Sequence, residues 1–366
     1  MSEQKKILHL VSADGNWEPF VRVTSLAAAL REHGFATAVA APNHSRLWEL
    51  AEGAGVEVVA YTLERSINPL RWKEMATMIA GTGADIVHVH DPDSATLLSR
   101  AGMFMDKTDI VTSRYELQTP IAGAEYGGKV KAVACPSQTI ADGFAKSGAP
   151  ADKIHVVPGG VNMAMAERSE EERAAIRAFF RDTYCPEKEK PLFLVNMAPL
   201  DDVGSHRELL EAMPEILAAL PQTHLFIMGE GPQLEELKRQ RKITALKGDV
   251  TFLEPDKAFH RLLAAADIYV SWSRNDASGL MVQTAMAAGR SVVLRNSGCY
   301  GELIENGKSG IFAAEGVDNL RDALLALLES RPRREKLGKQ AKARAARLFD
   351  MKELAGKMAK IYRTLS

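Results

Sequence analysis

Short apolar segments alternate with longer amphipathic segments along the whole chain. The first unit is the clearest: residues 7–11 predict a buried strand, residues 12–19 a polar loop, and residues 20–33 a helix that ends before Gly34. Alternation of this kind is typical of a parallel sheet with helices on both faces. The apolar side chains that share one face of the first helix are Val23, Leu26, Ala27 and Leu30.

Two series of predicted strands divide the chain into two doubly wound α/β domains. The strands of the first series lie at residues 7–11, 36–41, 56–61, 85–90, 110–113, 132–136 and 154–157. Those of the second series lie at residues 192–196, 223–228, 250–253, 268–271 and 291–294. We therefore predict an amino-terminal Rossmann-like domain over 1–166 and a carboxyl-terminal one over 191–350.

Two further segments lie outside these domains. Residues 167–190 are dense in charge, contain a predicted helix at 170–180 and are interrupted by prolines, so we interpret them as the interdomain connection. Residues 351–366 predict a helix whose apolar stripe must be buried, and we expect it to return to the amino-terminal domain. The stripe consists of Leu354, Met358, Ile361 and Tyr362.

Composition and charge restrict the possible functions. The chain has 366 residues, of which 46% are hydrophobic and 25% charged, so it is long enough for about two globular domains. Its formal net charge of −1 provides no global positive field for nucleic acid, and we expect small-molecule ligands. Neither metal-ligand spacing nor a disulfide pattern is found among Cys135, Cys185 and Cys299, which favours a reducing compartment.

The hydropathy pattern also restricts the location of the protein. The apolar run at residues 7–11 is too short for a signal peptide, and no later stretch approaches ~18 uninterrupted apolar residues. We therefore expect a cytoplasmic protein with at most peripheral contact at the inner face of the membrane. The basic stretch at residues 331–347 is either a contact for anionic lipid or a solvated helix face.

The most informative motif follows the strand at residues 268–271. The sequence continues with Asp276-Ala277-Ser278-Gly279-Leu280 and then with Ala285-Met286-Ala287-Ala288-Gly289. In parallel sheets, ligands bind beyond the carboxyl ends of the strands, where a helix N-terminus attracts phosphate. The motif resembles the signature of glycosyltransferase family 4, in which a strand ends in serine, a Glu-Gly-x-Gly-Leu turn opens a helix and Glu-Ala-Met-Ala-x-Gly closes it.

Other segments resemble the same family in order and spacing. Together they span roughly residues 5–365, so the resemblance does not depend on one motif. It implies the GT-B fold, in which two Rossmann-like domains face a central cleft. The further matching positions are residues 85–91, Gly229, Gly231, Gly298, Glu302 and residues 310–312.

The resemblance also implies a reaction. A sugar would pass from a nucleoside diphosphate sugar to a glycan or glycolipid acceptor with retention of anomeric configuration, and we expect a setting in bacterial cell-surface polysaccharide or lipopolysaccharide assembly. No cofactor and no bound metal are implied, so a helix N-terminus and basic side chains would stabilise the leaving diphosphate. The implied donor-binding residues are Gly229, Gly231, Ser278, Gly279, Leu280, Thr284, Gly298, Tyr300 and Glu302.

Several positions depart from the family pattern. Asp276 and Thr284 stand where the family has two glutamates, one near the donor sugar and one on the ribose hydroxyls. Losing the second carboxylate would cost roughly 1.5–3 kcal/mol of donor binding. Asp201 and Asp202 replace basic residues that contact the diphosphate in the family. The nearby basic residues, either displaced phosphate ligands or solvated residues of the next helix, are His206 and Arg207.

Glycine and aromatic positions add two expectations. Gly279 permits close approach of a phosphate to the helix start, so we expect valine there to abolish nucleotide binding and leave the fold intact. In the amino-terminal domain the resemblance assigns an acceptor-side loop to Gly15, Asn16 and Trp17, after the first strand. Trp17 either stacks on a sugar ring or covers the edge of the core.

Asp276 and Asp91 are two of the three catalytic candidates. Asp91 lies at the carboxyl end of a strand and is preferred over its two histidine neighbours. We assign His88 and His90 to opposite faces of that strand, so that only one faces the ligand edge.

Arg114 is the third catalytic candidate. Its guanidinium either binds an acidic acceptor or the leaving phosphate, or forms a structural salt bridge with Glu116 or Glu125.

Two other classes of function are weighed against sugar transfer. A catalytically silent relative that binds a ligand or serves as a partner subunit would have the same fold, and the donor-site substitutions are compatible with it. A dinucleotide oxidoreductase is disfavoured because Gly-x-Gly-x-x-Gly is absent after the first strand.

Overall fold

The computed structural model describes residues 4–12, 17–62, 67–105, 108–115, 117–201, 203–256, 259–274 and 279–365. The chain divides into two compact units. We call Met1–Gly160 together with Asp350–Ser366 the amino-terminal unit, and Val161–Phe349 the carboxyl-terminal unit. Each unit is built around its own parallel sheet.

Thirteen strands are found in the described residues, seven in the amino-terminal unit and six in the carboxyl-terminal unit. The first seven are β1 (Lys6–Leu10), β2 (Ala36–Ala41), β3 (Glu57–Ala60), β4 (Ile86–Val89), β5 (Asp109–Ser113), β6 (Val130–Cys135) and β7 (Ile154–Val156). The other six are β8 (Leu192–Met197), β9 (Thr223–Met228), β10 (Val250–Leu253), β11 (Ile268–Ser271), β12 (Ser291–Arg295) and β13 (Ile311–Ala313).

Helices connect these strands. The first seven are α1 (Trp17–Arg31), α2 (Arg46–Gly53), α3 (Pro69–Thr82), α4 (Pro92–Ala101), α5 (Gln138–Lys146), α6 (Met163–Ala166) and α7 (Glu170–Tyr184). The remainder are α8 (Val203–Ala219), α9 (Leu234–Ile243), α10 (Phe259–Ala265), α11 (Leu280–Ala287), α12 (Tyr300–Leu303), α13 (Val317–Leu328), α14 (Arg331–Leu348) and α15 (Met351–Thr364).

Both sheets are doubly wound, which confirms the predicted fold class. The strand order is β3-β2-β1-β4-β5-β6-β7 in the amino-terminal unit and β10-β9-β8-β11-β12-β13 in the carboxyl-terminal unit. The described strand pairings are parallel. The order reverses beside the first strand of each sheet, and ligands of such sheets bind at the carboxyl ends of the strands near this point.

The segment interpreted as an interdomain connection, residues 167–190, lies within the carboxyl-terminal unit. Ser169 and Glu172 form a reciprocal capping box at the start of α7, with hydrogen bonds of 3.1 and 2.8 Å. Phe180 is buried on the sheet, and its ring centre lies 5.5 Å from that of Phe226. The acidic first turn of α7 gives the segment the charge density of a linker, although one face of the helix is apolar.

Helix α15 belongs to the core of the amino-terminal unit. Met351, Leu354, Met358 and Tyr362 are buried in one hydrophobic cluster that also contains side chains of β1 and α1. The ring of Tyr362 packs edge-on against Phe35, with centres 5.7 Å apart. The predicted apolar stripe is therefore the face by which α15 completes this core.

Two findings bear on location and redox state. Among the described residues, no helix combines the length and hydropathy needed to cross a membrane. Cys135, Cys185 and Cys299 are buried free thiols. Burial raises the pKa of Cys135 to about 12 and that of Cys185 to about 11, so both remain protonated at neutral pH.

Deleting residues 351–366 should lower the melting temperature of the amino-terminal unit and leave the carboxyl-terminal unit folded. The deletion exposes the apolar surface that α15 covers, and each fully buried large side chain lost is worth roughly 1.5–3 kcal/mol. Calorimetry of the truncated and full chains measures the effect. The control variant Lys357→Ala/Lys360→Ala changes only the polar side of α15 and should melt as the full chain does. An unchanged melting profile after the deletion would contradict the core role of α15.

Candidate functional site

Helix α11 begins at the carboxyl edge of the carboxyl-terminal sheet, after β11. Gly279 forms its N-cap with φ of +58°, in the left-handed region. A Cβ atom at this position would lie 2.3 Å from Cδ1 of Leu303, so a side chain here would be strained by the backbone conformation and would have to displace the buried Leu303 side chain. Leu280 follows as the first buried residue of the helix. Asp276 and Ser278, for which the sequence predicts catalytic and donor-binding roles, lie outside the described residues.

Thr284 lies inside α11 and is buried. Its hydroxyl donates a hydrogen bond of 2.7 Å to the carbonyl of Leu280, one helical turn earlier. The hydroxyl proton is therefore used within the helix. A threonine here lacks the reach and the charge of the family's ribose-binding glutamate.

The segment after β12, which includes α12, carries three more predicted donor residues. Tyr300 is fully buried, and its hydroxyl shares a hydrogen bond of 2.5 Å with Oγ of Ser271, so the side chain links α12 to β11. Gly298 is exposed and has φ of +57°. Glu302 is half-buried, and its main-chain carbonyl accepts a hydrogen bond of 3.0 Å from Arg344. No part of Tyr300 is exposed to a donor in this conformation.

Gly229 and Gly231 form the turn after β9. A Cβ atom on Gly229 would lie 2.1 Å from the carbonyl oxygen of Ala198, and one on Gly231 would lie 2.5 Å from that of Leu200. The main chains are bonded here, since Leu200 N donates to the carbonyl of Glu230 at 2.9 Å. These two glycines are needed for the contact between the loops that follow β8 and β9, whatever ligand lies beyond them.

Two arginines at the same edge of the sheet were missed by sequence reasoning. Arg274 follows β11 and Arg295 ends β12, and both donate to Glu208 of α8, at 3.2 and 3.5 Å. Glu208 also accepts a hydrogen bond of 2.6 Å from Nε1 of Trp272. Arg295 is buried and has a second partner in Glu315, at 2.9 Å. Arg274 is 53% exposed at its side chain and is available to a ligand.

The loop after β8 does not supply the basic side chains that the family has at this position. Asp201 is exposed, and Asp202 lies outside the described residues. His206 is buried in α8, whereas Arg207 is exposed and lies 3.8 Å from Glu236 of α9. For Arg207 this matches the alternative of a solvated helix residue. Arg274 and Arg295 are therefore the basic side chains that β11 and β12 bring to this edge.

In the amino-terminal unit, Asp91 follows β4 and caps α4. Its Oδ1 accepts from Ser94 N at 2.8 Å, and its Oδ2 accepts from Ser94 Oγ at 2.6 Å and from Ser12 N at 2.7 Å. Burial raises the pKa of this carboxyl group. The side chain fixes the helix and the loop after β1, while its catalytic role stays a prediction.

Arg114 forms a structural salt bridge with Glu125. This was one of the two roles that the sequence left open for its guanidinium, the other being contact with an acidic acceptor or the leaving phosphate. Nη1 lies 2.5 Å from Oε2 of Glu125, and both side chains are only 2% exposed. The same carboxylate oxygen accepts a hydrogen bond of 2.6 Å from the main-chain nitrogen of Ile121. Contact with an acceptor or a phosphate is not supported for so deeply buried a guanidinium. Glu116, the other proposed partner, lies outside the described residues.

His88 and His90 lie on the same side of β4, and their assignment to opposite faces is wrong. Residues two apart on a strand share a face, and the two ring centres are 4.0 Å apart. His9 of β1 joins them, with its Nδ1 2.9 Å from Nε2 of His90. His88 shares hydrogen bonds with Tyr362 at 2.6 Å and Ser113 at 2.8 Å.

This buried cluster of His9, His88 and His90 is neutral at physiological pH. Burial lowers the pKa of His9 to about 3 and those of the other two well below the usual value. Each residue has a ring nitrogen within 4.8 Å of the others, a spacing compatible with a metal ion. Four of the six ring nitrogens, however, already take part in hydrogen bonds. The hydrogen bond between His88 and Tyr362 links α15 to the sheet.

Trp17 and Arg22 lie on α1, next to the predicted acceptor-side loop. Trp17 is 6% exposed, which agrees with the alternative that it covers the core edge. Arg22 is buried and was missed: its guanidinium lies 4.4 Å from the ring centre of Tyr115, and its Nη1 has no hydrogen-bond partner among the described residues. Gly15 and Asn16 lie outside the described residues.

Both halves of the chain match known sequence families. Residues 20–164 match the family described as Glycosyltransferase Family 4, and residues 185–344 match that described as Glycosyl transferases group 1. These two ranges contain most of both sheets. They cover the loops of the predicted donor site, whereas Gly15, Asn16 and Trp17 precede the first range.

Similar proteins are found in sequence and in structure. Phosphatidyl-myo-inositol mannosyltransferase of Mycolicibacterium smegmatis is 23% identical, over 94% of this chain and 89% of its own. Alpha-monoglucosyldiacylglycerol synthase of Streptococcus pneumoniae is 24% identical, over 56% of this chain and 46% of its own. The structure of Anabaena HepE in complex with UDP and glucose covers 99% of this chain and 100% of its own, with a TM-score of 0.84 and 18% identity. With two Rossmann-like domains of the GT-B type, the chain is a glycosyltransferase by fold and sequence and is similar to the family 4 enzymes.

Proposed function

We propose that the protein transfers a sugar from a nucleoside diphosphate sugar to a glycan or glycolipid acceptor, with retention of anomeric configuration. The observation that carries the proposal is the start of α11 at Gly279, with Arg274 close to it in sequence at the same edge of the sheet. A helix N-terminus and a guanidinium together suit a diphosphate. The relatives named above are called mannosyltransferase and glucosyldiacylglycerol synthase, and the HepE structure holds UDP.

The donor diphosphate is proposed to bind at this edge without a metal ion or other cofactor. Charge that develops on the leaving diphosphate needs oriented dipoles and cations. The first turn of α11 supplies the dipole, and Arg274 supplies the cation that the loop after β8 lacks. The hydrogen bond to Glu208 holds Arg274 in place, so the Arg274 side chain is partly ordered before a ligand binds.

The acceptor is proposed to be a glycolipid or glycan at the inner face of a membrane. Two relatives carry lipid names, phosphatidyl-myo-inositol mannosyltransferase and alpha-monoglucosyldiacylglycerol synthase. A role in cell-surface glycan assembly would follow.

A silent ligand-binding relative is the second candidate function. Thr284 in place of the ribose-binding carboxylate is the observation that favours it, because weak donor binding would suffice for a subunit that does not turn over. Transfer assays with mixed glycolipid acceptors separate the two. Release of nucleoside diphosphate from a sugar donor supports the enzyme, whereas nucleotide binding without release supports the silent relative.

Replacing Arg274 by glutamine should weaken binding of nucleoside diphosphates about tenfold, because one charge-assisted hydrogen bond to phosphate is lost. Calorimetry with UDP, GDP and ADP identifies the base, and the variant is then compared on the preferred diphosphate and on its nucleoside. The nucleoside lacks phosphate, so its affinity should not change. Arg239→Gln removes another exposed arginine paired with a glutamate and serves as the control. Equal loss in the control would contradict the assignment.

The variant Thr284→Glu should strengthen nucleoside binding up to about tenfold, because a carboxylate would accept from the ribose hydroxyls. Thr284→Gln has nearly the same size without the charge and should gain less. Both variants need a melting curve, since the site is buried. A folded Thr284→Glu protein with unchanged affinity would mean that the ribose binds elsewhere.

A side chain at position 279 should destabilise the fold, contrary to the expectation from sequence that only nucleotide binding would suffer. Gly279→Ala forces a Cβ atom against Leu303 and leaves a non-glycine residue at positive φ. We expect a lower melting temperature for Gly279→Ala and partial recovery in Gly279→Ala/Leu303→Ala, measured by calorimetry. Leu303→Ala alone is the control. If the double variant melts no higher than the sum of the two losses predicts, the contact with Leu303 does not cause the strain.

A further inference from the structure

A cavity of about 880 Å³ opens on the carboxyl-terminal unit, at the amino ends of its strands. Leu192 and Ser291, the first residues of β8 and β12, line it together with α7 and α14. The loops of the proposed donor site lie at the carboxyl ends of the same strands. The cavity is therefore a separate place in the fold, and its function does not depend on the proposed sugar transfer.

The cavity is strongly basic. Nine basic and four acidic side chains line it. Two of the nine, Arg181 and Lys342, pair with Asp182 and Glu167, which do not line it, so the excess is three positive charges in a chain whose formal net charge is −1. The basic stretch of α14 supplies part of this excess and α7 supplies another part. Charge that is spread along the sequence is thus concentrated on one concave surface.

Three of these arginines are fixed by main-chain carbonyl groups. Arg177 donates to the carbonyl of Pro191 at 2.8 Å, and Arg290 donates to that of Ala288 at 2.8 Å. Arg334 donates to two carbonyls at the end of α13, each at 2.7 Å. Carbonyl groups orient a guanidinium, but the negative charge they offer is at most the partial charge at the end of a helix, which does not neutralise a full positive charge. The three side chains are therefore held in place without full neutralisation.

One carboxylate is shared among them. Asp267 is the least exposed of the four acidic side chains, and its Oδ2 accepts from Arg177 at 3.0 Å and from the main-chain nitrogen of Phe193 at 2.9 Å. Its Oδ1 is 3.9 Å from Arg334. Burial, together with nearby Arg173 and Arg177, lowers the pKa of Arg290 to about 10. Positive charge at the cavity exceeds what Asp267 compensates.

Two lysines at the cavity add charge without any compensation. Lys190 and Lys339 are exposed, and neither has an ion-pair partner within the part of the chain that the structure describes. Flexible ammonium groups beside fixed guanidinium groups are a suitable combination for a phosphate ligand: the arginines supply bidentate geometry and the lysines supply point charges.

We infer that this cavity binds a small compound that carries two or more phosphate groups. The volume lies in the range of small-molecule sites, roughly 300–1,000 Å³. A concave surface can surround such a compound on several sides, whereas a bilayer presents a flat array of headgroups. The excess of three charges matches a ligand with several negative charges.

Titration of the full chain with inorganic tripolyphosphate tests the inference. Calorimetry at low ionic strength should give saturable binding that weakens as KCl is added. Lys190→Gln/Lys339→Gln should lose about tenfold in affinity or more. The control Arg333→Gln/Lys336→Gln removes the same charge from exposed positions of α14 outside the cavity and should bind as the parent does. All variants should melt at the parent temperature.

Three results would overturn the inference. One is the absence of saturable tripolyphosphate binding, including the case in which only phosphatidylglycerol vesicles bind. Another is equal loss in the two double variants, which would indicate a diffuse surface charge. The third is loss of tripolyphosphate binding in Arg274→Gln with none in Lys190→Gln/Lys339→Gln, which would put the ion at the donor site. Unchanged nucleoside diphosphate binding by the cavity variant keeps this test separate from the proposed function.

Discussion

A single carboxylate, that of Glu208, organises the carboxyl edge of the carboxyl-terminal sheet. It accepts hydrogen bonds from Trp272 and Arg274, which follow β11, and from Arg295 at the end of β12. Glu208 itself lies on α8, which precedes both strands in the chain. A buried guanidinium such as that of Arg295 is tolerated only when carboxylates and hydrogen bonds compensate it. The orientation of Arg274, and with it the proposed diphosphate site, depends on this one acid.

The amino-terminal unit accommodates buried polar side chains in a different way. The clustered histidines His9, His88 and His90 are kept neutral by burial, and hydrogen bonds with Tyr362 and Ser113 satisfy part of their nitrogens. Hydrogen bonds between neutral side chains avoid the desolvation penalty of an ion, but each buried polar atom left without a hydrogen bond costs free energy. The position of α15 is thus specified by a hydroxyl group as well as by apolar packing.

Local patterns predicted much of the fold, because strands buried on both faces read as short apolar runs and the helices between them carry apolar stripes. Long-range charge pairing could not be predicted in the same way. Arg274 and Glu208 are 66 residues apart, and nothing local indicates that they meet. At residues 167–190, the charged first turn of α7 dominates the local pattern and conceals the buried face of the helix. Within the candidate site, the start of α11 was predicted from a motif, and Glu125 was one of the two partners proposed for Arg114. The partner of Tyr300 could be found only from the structure.

The amino-terminal unit is discontinuous in the chain, since residues 350–366 complete a core begun by residues 1–160. This has a consequence for biosynthesis. Domains generally fold as units during translation, the earlier one first. Here the whole carboxyl-terminal unit emerges from the ribosome before α15 does, so the contiguous second unit can fold while the first still exposes the surface of β1 and α1 that α15 will cover. The nascent protein therefore passes through a stage in which its first domain is the unfinished one and the more exposed to chaperones or to aggregation.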